Sequence, residues 1–191
     1  MKYIKMLGLL AVAATALMAF AGTAAATTLT SPANQVYTST IEASAGSTSL
    51  HNTSLEQTVT CKSSSVKGTV EQHGESVTAG GAVSTLHFNE CGDDTVTVVN
   101  KGSLLIHSNG EVTSTGAEIT IKEGSTGIAC TYKTSGTKIG TFTESSTTGG
   151  TAVLDIASST IPREGDSIFC GTKGQWTGTY TVTNPDFLDL D

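Results

Sequence analysis

The clearest pattern in the chain is strict alternation near its end. Over 175–183, Trp176, Gly178, Tyr180 and Val182 share one side, and Thr177, Thr179, Thr181 and Thr183 share the other. A period of two predicts a strand with one face buried and one in water. Shorter stretches repeat the pattern. Ala82, Ser84, Leu86 and Phe88 alternate with Val83, Thr85 and His87, and Ala152, Leu154 and Ile156 alternate with Val153 and Asp155. Ile128, Cys130 and Tyr132 share a face, as do Ile119 with Ile121, Val59 with Cys61, and Val96 with Val98. Weaker strands are predicted at 36–43, 65–70, 104–107 and 137–142. Asn109-Gly110, Glu123-Gly124, Ser135-Gly136, Gly149-Gly150 and Gly171 separate these segments as turns. About a dozen short strands at this spacing predict an all-β sandwich or barrel. Its expected core is Trp176, Tyr180, Val182, Leu86, Phe88, Leu154 and Ile156. Segment 27–35 reads as an extended lead-in and 144–150 as a loop.

The first 26 residues have a different character. Lys2 and Lys5 precede an uncharged, mostly apolar stretch from Met6 to Ala21, and Thr23-Ala24-Ala25-Ala26 supplies small residues for a signal peptidase. This order reads as a secretory signal cleaved after Ala26, with cleavage after Ala21 as the alternative. The apolar stretch is short for a bilayer span, which takes about 20 residues. The expected mature chain is one domain, 27–191, secreted, with no membrane insertion after signal removal.

That chain of 165 residues holds 32 Thr, 21 Ser and 19 Gly. Thr suits a half-buried pleated surface and Gly suits turns, so the composition favours strands over helices. The mature part carries all 17 acidic residues and 8 of the 10 basic ones, a formal charge of −9. That sign argues against nucleic acid and anionic membranes as partners.

Four cysteines, Cys61, Cys91, Cys130 and Cys170, suit two disulfides in an exported protein, and four allow three connectivities. Their wide spacing is unlike a structural zinc site. The chain also reads as containing itself twice, about 36–108 and 109–191. Thr95-Val96-Thr97-Val98-Val99-Asn100 matches Thr179-Tyr180-Thr181-Val182-Thr183-Asn184, and Gly80-Gly81-Ala82-Val83 resembles Gly149-Gly150-Thr151-Ala152-Val153. If the halves are equivalent, the simplest pairing is Cys61 with Cys91 and Cys130 with Cys170.

Candidate chemistry is sparse. Gly165-Asp166-Ser167-Ile168 resembles the Gly-Asp-Ser-Leu block of secreted lipases and esterases, which would make Ser167 a nucleophile. That class is α/β and takes its base from a later His, whereas no His follows Ser167 here. His51, His73, His87 and His107 form no local metal pincer. Asp93 and Asp94 are weak calcium candidates on a loop, without an EF-hand pattern. No cofactor is expected.

Several segments together resemble a set of small secreted β-rich proteins from soil actinobacteria. They are Ser31-Pro32-Ala33-Asn34-Gln35-Val36-Tyr37, Thr58-Val59-Thr60-Cys61-Lys62-Ser63-Ser64, Leu86-His87-Phe88-Asn89-Glu90-Cys91 and Trp176-Thr177-Gly178-Thr179-Tyr180-Thr181-Val182-Thr183. No activity is assigned to that set, so the resemblance implies no catalytic residues. The expected function is a non-catalytic secreted or cell-surface module that binds a cell-envelope or extracellular ligand or plays a structural part. The alternatives are a secreted hydrolase with a site built from distant loops, and a wall or matrix protein that self-associates.

Overall fold

The computed structural model describes residues 28–31, 35–72, 77–145 and 150–190. The expected signal at 1–26, His73, Asp191 and the centre of the 144–150 loop lie outside the described residues. Among the described residues the chain forms strands and no helix. In order they are β1 (Leu29–Ser31), β2 (Gln35–Val36), β3 (Thr40–Ala45), β4 (Thr48–Asn52), β5 (Gln57–Cys61) and β6 (Ser63–Thr69). There follow β7 (Glu71–Gln72), β8 (Val77–Asn89), β9 (Thr95–Asn100), β10 (Ser103–His107), β11 (Glu111–Thr115) and β12 (Glu118–Lys122). The last are β13 (Ala129–Lys133), β14 (Thr137–Thr143), β15 (Val153–Glu164), β16 (Lys173–Asn184) and β17 (Asp189–Leu190).

Eight strands close on themselves in the order β16, β3, β6, β8, β10, β11, β14, β15 and back to β16, every neighbour antiparallel. Closure pairs the backbone all round and leaves no barrel edge exposed. Gly80 and Gly81 permit part of the wall. A Cβ on Gly80 would strike the Leu104 carbonyl of β10, and one on Gly81 the Thr69 carbonyl of β6.

β15 and β16 are longer than the barrel requires and run on into a second sheet, ordered β5, β4, β16, β15, β13, β12, β9. The change happens at a bulge. Ile156 faces Gly178 and Ser159 faces Trp176, so Ala157 and Ser158 together oppose Thr177, with Ser158 at φ 54°. A bulge bends a strand and increases its twist. Here it turns one hairpin out of the barrel wall and into the second sheet.

A small sheet of β17, β1 and β2 sits over the barrel end away from that bulge. It is fixed by the segments leaving that end. The Gln72 side-chain amide brackets the Leu29 backbone, accepting from its N at 3.1 Å and donating to its O at 3.0 Å, and Ser145 N donates to Leu188 O at 2.9 Å. Leu29 and Leu188 are fully buried beneath this cap.

The alternation of β16 holds residue by residue: Gly174, Trp176, Gly178, Tyr180 and Val182 are buried, and Thr177, Thr179, Thr181 and Thr183 are exposed. Leu86, Leu154 and Ile156 are also buried, and Phe88 is half-buried. The expected face of β8 needs correction. Lys67 faces Thr85 and Gly68 faces Val83, so Ser84 is an extra residue that reverses the phase. Val83 therefore turns inward, while Ala82 and Ser84 are exposed.

The aromatic residues meet where barrel and second sheet join. The Tyr180 hydroxyl donates to Ser64 Oγ at 2.7 Å, and Ser64 Oγ donates to His87 O at 2.7 Å. Burial pushes the Tyr180 phenol far above the usual range, and its bond to Ser64 only partly offsets this. A raised folded pKa means the contribution to stability is complete below about pH 10, where an unfolded Tyr titrates, and is lost as pH rises beyond it. Ultraviolet difference titration is expected to leave the buried phenols of Tyr132 and Tyr180 protonated after the accessible tyrosines have ionised. In Tyr180→Phe that late step shrinks to the Tyr132 phenol alone, and denaturant unfolding shows a loss of about 0.5–1.5 kcal/mol.

Disulfides join Cys61 to Cys91 and Cys130 to Cys170. Each ties a second-sheet hairpin to the chain just beyond a long barrel strand, β8 in one case and β15 in the other. The cysteines are not in matching register, because Cys61 faces Thr48 at the start of β4 and Cys130 faces Ile121 near the end of β12.

Candidate functional site

Among the described residues β5 pairs only with β4 and β9 only with β12, so the second sheet is open between them. The chain at 90–94 lies near this opening without joining a ladder, held by the Cys61–Cys91 bridge and by Lys62 N donating to Asn89 O at 3.1 Å. Within the curl of the sheet is a cavity of about 220 Å3. Inward residues of four strands form its floor: Leu50 of β4, Val59 of β5, Ile121 of β12, and Cys130 and Tyr132 of β13. The absence of a side chain at Gly174 leaves room for the Tyr132 ring.

The rim is polar. Asn52, Gln57, Asp94 and Glu123 line it, with Leu55 and Ile128 between them. Asn52 Oδ1 accepts from Ser54 N at 3.0 Å and Leu55 N at 3.3 Å, which shapes the β4–β5 turn. Gln57 Nε2 donates to Glu123 Oε1 across the opening. Ser125 Oγ donates to the same carboxylate oxygen at 3.1 Å, and Thr126 Oγ1 donates to the other. Asp94 Oδ1 accepts from Gly124 N at 3.0 Å, so the two acidic residues brace one turn. Among the described residues the lining contains two carboxylates and no Lys or Arg. Tyr132 is buried at the base, and its hydroxyl donates to Cys170 O at 3.3 Å. Burial raises its pKa, with Arg163 opposing, so the floor presents a neutral phenol.

Of the two calcium candidates, Asp94 is engaged in this rim, and Asp93 is an exposed neighbour. Among the described residues no three His, Cys, Asp or Glu converge as a metal site. Ser167 is a loop brace. Its Oγ lies 3.2 Å from Cys170 Sγ, and its carbonyl accepts from Cys170 N at 3.3 Å and from the Arg163 guanidinium. Of the described histidines, His51 pairs with Thr58 at 3.0 Å and His107 with Thr113 at 3.1 Å, while His87 is exposed on β8. None of these contacts gives Ser167 a base.

Of the core residues named from the sequence, Phe88, Trp176 and Tyr180 meet at the barrel junction, while Leu154 and Val182 line the other half of the barrel. The hydroxyl row of β16 is tied to neighbouring strands: Thr179 Oγ1 donates to Asp155 Oδ1 at 2.9 Å, and Thr183 Oγ1 to Glu42 O at 3.2 Å. Sequence reasoning missed Asn52, Gln57 and Glu123, whose only local signal was the turn at Glu123-Gly124. It also missed the tip of the 165–172 loop, where Ile168 is 85% and Phe169 55% exposed beside the Cys130–Cys170 bridge.

No helix of the described residues is long and apolar enough to cross a membrane. No family model matches the chain, and no curated protein or solved structure is significantly similar to it.

Proposed function

We propose that this chain is a non-catalytic, secreted binding module whose ligand sits in the second-sheet cavity. The ligand class is a small amphiphile with an apolar body and a cationic head. The observation that carries this reading is the lining: aliphatic and aromatic side chains below, and two carboxylates with two amides at the mouth. Convergent polar groups over an apolar floor are the usual make-up of a ligand site. Export is supported by the signal-like start and by two disulfides, which persist in oxidising compartments.

The test is calorimetric titration of the oxidised chain with n-hexylammonium. Saturable binding is expected, weakened about tenfold or more in Glu123→Gln because a charged partner is lost. Raising the salt concentration should weaken it too, since the rim is only half-buried. A flat titration, or equal affinity in a folded Glu123→Gln variant, would sink the reading.

A duplication is proposed for the same chain. Both 36–108 and 109–191 run barrel strand, second-sheet hairpin, barrel strand, long barrel strand, then return through second sheet and barrel. The division falls in the turn between β10 and β11. The offset cysteine registers require shifts within the hairpins after the copies separated.

A further inference from the structure

The barrel has an interior of its own, and its two halves are filled differently. Nearest the second sheet, Tyr180, Ile156 and Ile139 are buried to 1% exposure or less, and the Tyr180–Ser64 bond links β16 to β6 past β3. The other half holds a separate apolar pocket of about 90 Å3, partly open to solvent. Ile41, Val66, Leu104, Ile106, Phe142 and Leu154 face it, with Ala43 and Ala79 contributing small side chains. Lys67 and Thr69 border it too, but both lie on exposed positions of β6, where the alternation turns their side chains outward.

The void follows from the sequence. The wall has Ala at residues 43 and 79 where larger side chains would complete the layer. Ile41, Val66, Leu104 and Ile106, which line the space, are half-buried. The wall's backbone groups are engaged in closed ladders, so the space offers water few partners. An apolar cavity of about 150 Å3 stays dry and takes benzene or xenon. A smaller one lined the same way suits a slimmer apolar guest.

We infer that the barrel lumen is a second binding site, for an uncharged alkyl group of about four carbons. It is independent of the second-sheet cavity and selects the opposite chemistry. A charged head is disfavoured inside, because no charged side chain of the described residues turns into the lumen to pair with it.

The test is methyl-detected NMR of the oxidised protein titrated separately with 1-butanol, n-butylammonium and butanoate. Saturable shifts are expected with 1-butanol at the methyls of Ile41, Val66, Leu104 and Ile106, and none there with either ion. Ala43→Leu, which fills the void, is expected to weaken 1-butanol binding at least tenfold and to raise the thermal midpoint. Should Ala43→Leu fail to fold, Val66→Leu fills the space from the neighbouring strand. The inference is overturned by absence of saturation in the unmodified protein, by unchanged shifts in a folded filled variant, or by shifts confined to Leu50, Val59, Ile121 and Ile128.

Discussion

Replacing Trp176 with Ala is expected to destabilise the oxidised protein by about 3–5 kcal/mol. The indole stands where the barrel and the second sheet share β16. Its ring is 5.9 Å from Phe88 at 63° and 5.9 Å from Tyr180 at 86°, both edge-to-face. Such geometry adds about 0.5–1.5 kcal/mol per pair beyond area burial. Removing the ring leaves a cavity that strands closed into a barrel cannot collapse to fill. Trp176→Phe keeps much of the volume and is expected to cost less than half as much. Urea unfolding of the three proteins measures this directly. A loss below about 1 kcal/mol in Trp176→Ala would show that the ring is not part of the core.

The second large effect concerns the disulfides. They close loops with sequence separations of 30 and 40 residues. Loop entropy assigns each roughly 3.5–4 kcal/mol. A domain's net stability is about 5–15 kcal/mol, so opening both bridges removes much or all of it. Ala is the replacement to use, because Cys61 and Cys170 are almost fully buried and Ala adds no polar group there. The Cys61→Ala/Cys91→Ala and Cys130→Ala/Cys170→Ala pairs should each unfold at clearly lower urea concentration, and the four-Ala chain should be largely unfolded at 37 °C. Non-reducing peptide mapping should link Cys61 to Cys91. A Cys61–Cys130 peptide would contradict the fold itself.

The strands that were legible in the sequence are those with one wet face. β16 is the best case, because its Thr side meets water and its Trp-Tyr-Val side meets the core. β8 was only partly legible, because the extra residue at Ser84 reverses the phase and leaves no compositional mark. The bulge at Ala157 and Ser158 was equally silent, yet it decides that β15 and β16 serve two sheets. β1 and β17 were too short to show a period, and they pair across almost the whole chain, Leu29 with Leu190. The cavity was least legible of all. Its lining comes from both sides of the second sheet, and the contact between Gln57 and Glu123 spans 66 residues. No local pattern records such a meeting.

The most direct test of the binding role is to locate a bound probe. Nuclear Overhauser contacts should be recorded between n-hexylammonium and the methyl groups of the oxidised protein. Contacts from the alkyl chain to Leu50, Val59, Ile121 and Ile128, with none to Ile106 or Leu154 of the barrel lumen, are the expected result. Contacts confined to Ile168 at the exposed loop tip, or none at all, would contradict a ligand site in the second-sheet cavity.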